Sequence, residues 1–222
     1  AVESGGDIYS FAPDEGMACY HFVDGVKVDF AHQATADIDK RVSDFLAKPT
    51  VDDETTHIIM SGIVQGKILW GAETIVPWQK QLARLPASYT TELIRTNLRF
   101  PPKAVLLDMG VKRLDYAFVY EILLEAIRRL LNIWCGLSGT IPPGKIKSCE
   151  QVAATLTIAP VNAATRLRQL WTDSPERAAT SFYQLVDETL TLVEQLRPDL
   201  DCSMARSRLA LPLHQRSLSQ TA

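Results

Sequence analysis

Val23-Asp24-Gly25-Val26-Lys27-Val28-Asp29-Phe30 is the stretch from which the fold is read. Its Asp-Gly pair suits the two-residue turn of a β-hairpin, because glycine tolerates the positive φ that such turns demand. The residues after the turn alternate in character. Side chains change face at each strand residue, so the spacing predicts Val26, Val28 and Phe30 toward a core and Lys27, Asp29 and Ala31 on the opposite face. One carboxylate, Asp29, is thereby carried on a strand face beside Lys27, where pattern alone describes an ordinary solvated pair.

Working outward, Asp7 to Phe11 alternates as a strand, and Ala12-Pro13-Asp14-Glu15-Gly16 has turn chemistry. Met17 to Val23 reads as a second strand and the third ends near His32, giving an antiparallel meander. Three strands with one apolar face still need a cover. Helices supply it. Ile38, Val42, Phe45 and Leu46 recur at helical spacing up to Pro49. A second helix opens at Val51-Asp52-Asp53-Glu54, with Ile59, Ile63 and Val64 as its expected buried stripe and Gly66 at its end. Ile68-Leu69-Trp70-Gly71 reads equally as a last strand or as a connection. Trp78 to Leu85 and Tyr89 to Phe100 are short helices cut by Pro86 and Pro101-Pro102.

From about Lys103 the chain is helical throughout. Val119, Ile122, Leu123, Ala126, Leu130 and Ile133 mark the apolar face of a long helix expected to end at Leu130-Leu131-Asn132. Ser148-x-x-Gln151 matches a capping box, Pro160 fits a first helical turn, and Pro175 to Leu196 is a long final helix stopped by Pro198. After Asp201 the tail thins, fraying from about Pro212. The expected class is α+β: an antiparallel meander with covering helices in 1–100, an all-α bundle in 101–211 and a tail in 212–222.

The net charge of −3, with Lys, Arg, Asp and Glu well mixed, gives no basic footprint for nucleic acid or an anionic membrane. Cys19, Cys135, Cys149 and Cys202 are widely spaced, without a C-x-x-C pair or a His at zinc-finger spacing; they read as reduced, buried thiols of a cytoplasmic protein. No apolar run is long enough to span a bilayer. The chain opens on Ala1 and passes within a few residues into strand-like sequence, as a piece of a longer gene product would.

Gly25-Val26-Lys27-Val28-Asp29-Phe30-Ala31-His32, the helix after it, Arg99-Phe100, Tyr120-Glu121-Ile122-Leu123, Leu131-Asn132 and Pro143-Gly144-Lys145 together resemble bacterial nucleotidyltransferases of the DNA polymerase β superfamily, the group that includes the aminoglycoside nucleotidyltransferases. The resemblance extends to about Leu211 and lies in the order and spacing of the pieces. It implies a small sheet bearing three carboxylates followed by a helical bundle. It further implies transfer of a nucleoside monophosphate from a nucleoside triphosphate, ATP by expectation, to the hydroxyl of an unidentified small-molecule acceptor. Magnesium would be the cofactor, because hard divalent ions take carboxylate and phosphate oxygens.

By the resemblance, Asp29 matches the third carboxylate, a catalytic and metal-ligating position. Glu121, with Glu125 one turn along the helix, corresponds by region to a general base toward the acceptor. Lys145 corresponds to a lysine that meets nucleotide phosphates. The departure is upstream of Asp29, where no Gly-Ser followed by Asp-x-Asp occurs; Asp7-Ile8-Tyr9 lacks the second carboxylate. The expectation is therefore an N-terminally truncated piece, inactive by itself. The alternative is a degenerate, non-catalytic relative or an antitoxin-like module that binds a protein partner. His32 is expected to be structural. The aromatic residues Trp70, Trp78, Trp134, Trp171, Tyr120 and Tyr183 are read as packing, with Trp134 the one candidate for stacking on a base.

Overall fold

The computed structural model describes residues 7–12 and 16–212. The chain is α+β and mostly helical, and it divides into two compact units, one ending at Lys48 and the other beginning at Pro49.

The first unit contains β1 (Asp7–Ala12), β2 (Gly16–Val23), β3 (Val26–His32) and α1 (Thr35–Ala47). The expected turn between the first two strands falls at 13–15, outside the described residues. The strands form an antiparallel sheet in the order β1-β2-β3. Asp24 and Gly25 take φ values of 50° and 79°, the doubly left-handed turn that matches strand twist, and Val23 pairs with Val26 across it. The β2–β3 register sets Tyr20 opposite Asp29 and Cys19 opposite Phe30. The expectation that Val26, Val28 and Phe30 line a core is corrected here: Val26 is 64% exposed, Phe30 is exposed and Val28 only half-buried. β3 is an edge strand, and among side chains whose burial is described the buried ones of this unit are Cys19 on β2 and Val42 and Phe45 on α1.

The second unit holds eight helices of α type among the described residues: α2 (Glu54–Gln65), α3 (Ala72–Leu82), α4 (Ala87–Asn97), α5 (Tyr116–Ser138), α6 (Cys149–Thr155), α7 (Ala163–Thr172), α8 (Pro175–Leu196) and α9 (Ser203–Leu209). A π-helical turn over Val105–Gly110 and a 3₁₀ turn over Val111–Arg113 lead into α5. The expected boundary near residue 100 falls inside this unit, because α4 packs directly on α5. A Cβ on Gly136 would lie 2.7 Å from the Ile94 side chain and 3.2 Å from the Thr90 carbonyl, so glycine permits the close approach.

The α5 helix is the centre of the core. Asp115 caps it by accepting from the Phe118 N–H at 3.2 Å, and its buried stripe runs from Val119 through Leu123, Ile127 and Leu130 to Trp134. It continues past Asn132 to Ser138, where Gly139 at φ 66° turns the chain out. There the Thr140 N–H donates to the Cys135 carbonyl and the Gly139 N–H to the Gly136 carbonyl. Its stop is thus this glycine motif, two turns beyond the expected end. Trp134 is completely buried and donates from Nε1 to Thr189 Oγ1 on α8 at 2.8 Å, so it is a packing residue and no platform for a base.

Other expectations shift for local reasons. The inward face of α2 is His57, Met60 and Ser61, with Ile59, Ile63 and Val64 only half-buried, because the helix turns its polar side toward α4, where the Tyr89 hydroxyl meets His57. The Ile68–Gly71 stretch is a connection whose Leu69 and Trp70 stand in solvent, so Trp70 is not a packing residue. The Ser148 capping box does not form: with φ at 59° its hydroxyl makes no bond to the N–H groups of α6. Pro160 lies outside α7, whose cap position is Asn162. α9 follows where thinning was expected; Leu200, Cys202, Ala205 and Leu209 are buried, and Arg206 binds Glu194 of α8 through two bonds of 2.7 and 2.8 Å.

Candidate functional site

The candidate site residues divide between the two units. Asp29 stands at the middle of β3, more than half exposed, with its carboxylate 3.1 Å from Lys27 Nζ. Lys27 lies over the Tyr20 ring at 4.8 Å, and Tyr20 is the residue directly across from Asp29. On the other face His32 Nε2 sits 3.5 Å from Cys19 Sγ. Among the described residues, no group of three or more His, Cys, Asp or Glu side chains converges as a metal site. A hard divalent ion takes several oxygen ligands, and Asp29 together with its Lys27 partner supplies one carboxylate toward such a set.

Glu121 and Lys145 belong to the helical unit, where two neighbouring clefts share a wall. The wall is Glu125 and Arg129, one turn apart on α5 and joined at 2.7 Å. One cleft, about 540 Å³, is lined by Arg99, Phe100, Glu121, Ile122 and Arg208 together with that pair. Glu121 and Glu125 therefore face one cavity, as their four-residue spacing predicts, and three arginines stand around them. Pro101 is part of the lining, at the start of a Pro101-Pro102 segment. It is held there by Tyr183, whose hydroxyl faces the Pro101 and Pro102 carbonyls at 3.2 and 2.9 Å.

The second cleft, about 210 Å³, lies over the N-terminal turn of α2. Asp53 caps that turn, accepting from the Thr56 N–H at 3.0 Å and from its hydroxyl at 2.6 Å; these bonds hold the Asp53 carboxyl below its ordinary range. His57 is buried in the wall, its Nε2 3.1 Å from the Thr50 carbonyl and 3.0 Å from the Tyr89 hydroxyl. Burial pushes its pKa down, against the opposing pull of the Thr50 carbonyl and the nearby Asp53 and Asp52. Arg128 reaches Glu54 at 3.4 Å, and Asn132 donates to Asn97 at 3.2 Å. Asn132 is thus a mid-helix residue bridging α5 to α4, a role its expected helix-end position had hidden.

Gly144 closes this cleft. Its φ of 77° favours glycine, and a Cβ there would lie 2.7 Å from the Glu54 carbonyl and 2.8 Å from the Ile58 side chain. The Pro142-Pro143-Gly144 loop is therefore pressed onto the start of α2, leaving Lys145 exposed beside the cleft rather than in its wall. His57, Tyr89, Asn97 and Arg128 were missed in the sequence. A buried histidine inside an apolar helix was the one local signal; the others depend on which helices meet.

No protein-family model matches this chain, no curated protein matches it, and no solved structure matches its fold. Among the described residues, no helix is long and apolar enough to cross a membrane.

Proposed function

We propose that the chain contributes the strand-borne carboxylate and the helical, acceptor-side half of a nucleotidyltransferase. The reading rests on the sequence resemblance. The observation that best supports it is the larger cleft, where Glu121 and Glu125 stand among Arg99, Arg129 and Arg208. A carboxylate in such a cavity could take the proton of an acceptor hydroxyl, and guanidinium groups suit the oxygens of a phosphate chain. Lys145, beside the neighbouring cleft, is a further point charge for phosphate. Asp29 is one of three carboxylates the reaction calls for; among the described residues no group of three or more ligating side chains converges on it, and this chain by itself is expected to bind nucleotide without turning it over.

Calorimetric titration with ATP in the presence of EDTA tests the reading. A measurable affinity that Arg129→Ala lowers about tenfold, through loss of a charge-assisted contact, is the expected result. Failure of ATP and the other nucleoside triphosphates to bind would overturn it. In any longer form of the protein that does transfer nucleotide, Asp29→Asn should lower turnover by about a hundredfold or more with little change in melting temperature.

A second reading, a non-catalytic protein-binding module, is favoured by the exposed apolar side chains of the β2–β3 hairpin, Phe22, Val23, Val26 and Phe30.

A further inference from the structure

β3 is the last strand in the sheet, so one long side of Val26–His32 meets no strand among the described residues. The turn decides which backbone groups lie on that side. A two-residue turn at Asp24-Gly25 makes Val23 and Val26 a pair that exchanges both its hydrogen bonds. By alternation, the N–H and C=O of Val28 and Phe30 then point toward β2, and those of Lys27, Asp29 and Ala31 point outward. Such an edge is a template for another strand. Val26–His32 holds no proline, and its single lysine is matched by an aspartate two residues on.

The strand is complementary to itself in one antiparallel register. If a second copy pairs across a two-fold axis at Val28, the outward groups of Lys27 meet those of the partner's Asp29, and the reverse holds on the other side of the axis. Both side-chain contacts are then between opposite charges. On the other face Val26 meets the partner's Phe30, a β-branched and aromatic pair, and both are exposed in the single chain. Moving the axis to Lys27 or to Asp29 would set like charges face to face. We propose that β3 pairs antiparallel with β3 of a second copy about a two-fold axis at Val28, joining the two three-stranded sheets into one. The proposal does not rest on nucleotide transfer.

Sedimentation equilibrium of the whole 222-residue chain, from micromolar to about one millimolar, tests it. The expected result is a reversible dimer. Lys27→Glu alone, and Asp29→Lys alone, should each weaken self-association by about tenfold or more, because each sets two like-charge pairs across the axis. An equimolar mixture of these two variants should associate again as a one-to-one heterodimer, since opposite charges then meet at both positions. Val28→Cys gives an independent measurement that keeps the strand's charges intact. A residue on the axis in a non-hydrogen-bonded pair lies about 4.5 Å, Cα to Cα, from its copy, within disulfide range. Mild oxidation should therefore yield a covalent dimer with Val28→Cys and far less with Ala31→Cys, which lies off the axis. Circular dichroism of each variant establishes that it is folded. A chain that stays monomeric throughout would overturn the proposal. So would a dimer indifferent to both charge reversals whose Val28→Cys variant does not cross-link.

Discussion

Two buried polar contacts fix single residues of the helical unit. Trp134 Nε1 donates to Thr189 inside the α5–α8 core, and Thr189 in turn donates to the Leu185 carbonyl at 2.7 Å. Trp134→Phe removes the donor and part of the ring while leaving Thr189 its backbone partner. A loss of about 1 to 3 kcal/mol is expected in urea unfolding, with no gain or loss of nucleotide affinity. His57 carries a pH dependence. Burial lowers its folded pKa, so the unfolded chain binds the extra proton first; the contribution is complete above the unfolded value near 6.5 and is lost as pH falls from there toward the folded value. Melting temperature should therefore decline from pH 7 toward pH 5, and His57→Gln should flatten that limb while lowering stability at pH 8. An unchanged slope in His57→Gln would show that other groups titrate there.

At the scale of the element, helix ends and close crossings were unequally legible. Asp53, Asp115 and Ser174 each cap a helix by accepting from an N–H three residues on; the acidic opening around Asp53 was read in the sequence, Asp115 and Ser174 were not. Asp53→Ala should cost about 1 kcal/mol at pH 7. The Asp53 carboxyl is held below its ordinary range, so its contribution is present above the unfolded value near 3.9 and disappears as pH falls below it; the variant and the parent should converge in acid. Gly136 was not legible. Only the packing of α4 on α5 shows why it is small, and Gly136→Ala should cost about 1 to 3 kcal/mol by forcing Ile94 aside, read as a lower midpoint in urea. The Ser148 box fails for a related reason: the spacing was right, but the loop delivers Ser148 in a left-handed conformation that a four-residue pattern does not encode.

For the molecule as a whole, the two units are unequally built. Around α5 and α8 the helical unit buries a large contiguous core that includes Phe100, Leu123, Leu130, Trp134, Phe182 and Val186. In the first unit, among side chains whose burial is described, only Cys19, Val42 and Phe45 are buried. β2, β3 and α1 thus contribute few buried side chains, which favours their local opening. Hydrogen exchange should therefore show amides of α5 and α8 protected to the global limit and those of β2 and β3 exchanging orders of magnitude faster. Equal protection in both units would contradict this account. The amino-acid sequence by itself determined what depends on near neighbours: the hairpin turn at Asp24-Gly25, the helical periods and the acidic opening of α2, since each is set by residues within about one helical turn of one another. The tertiary structure decided which faces those elements bury. It left β3 at an edge with Val26 and Phe30 in solvent, sealed Trp134, and brought Glu121 and Glu125 into one cleft with Arg99 and Arg208. Those outcomes depend on contacts between residues far apart in the chain, where alternation and helical period specify a face without specifying its neighbour.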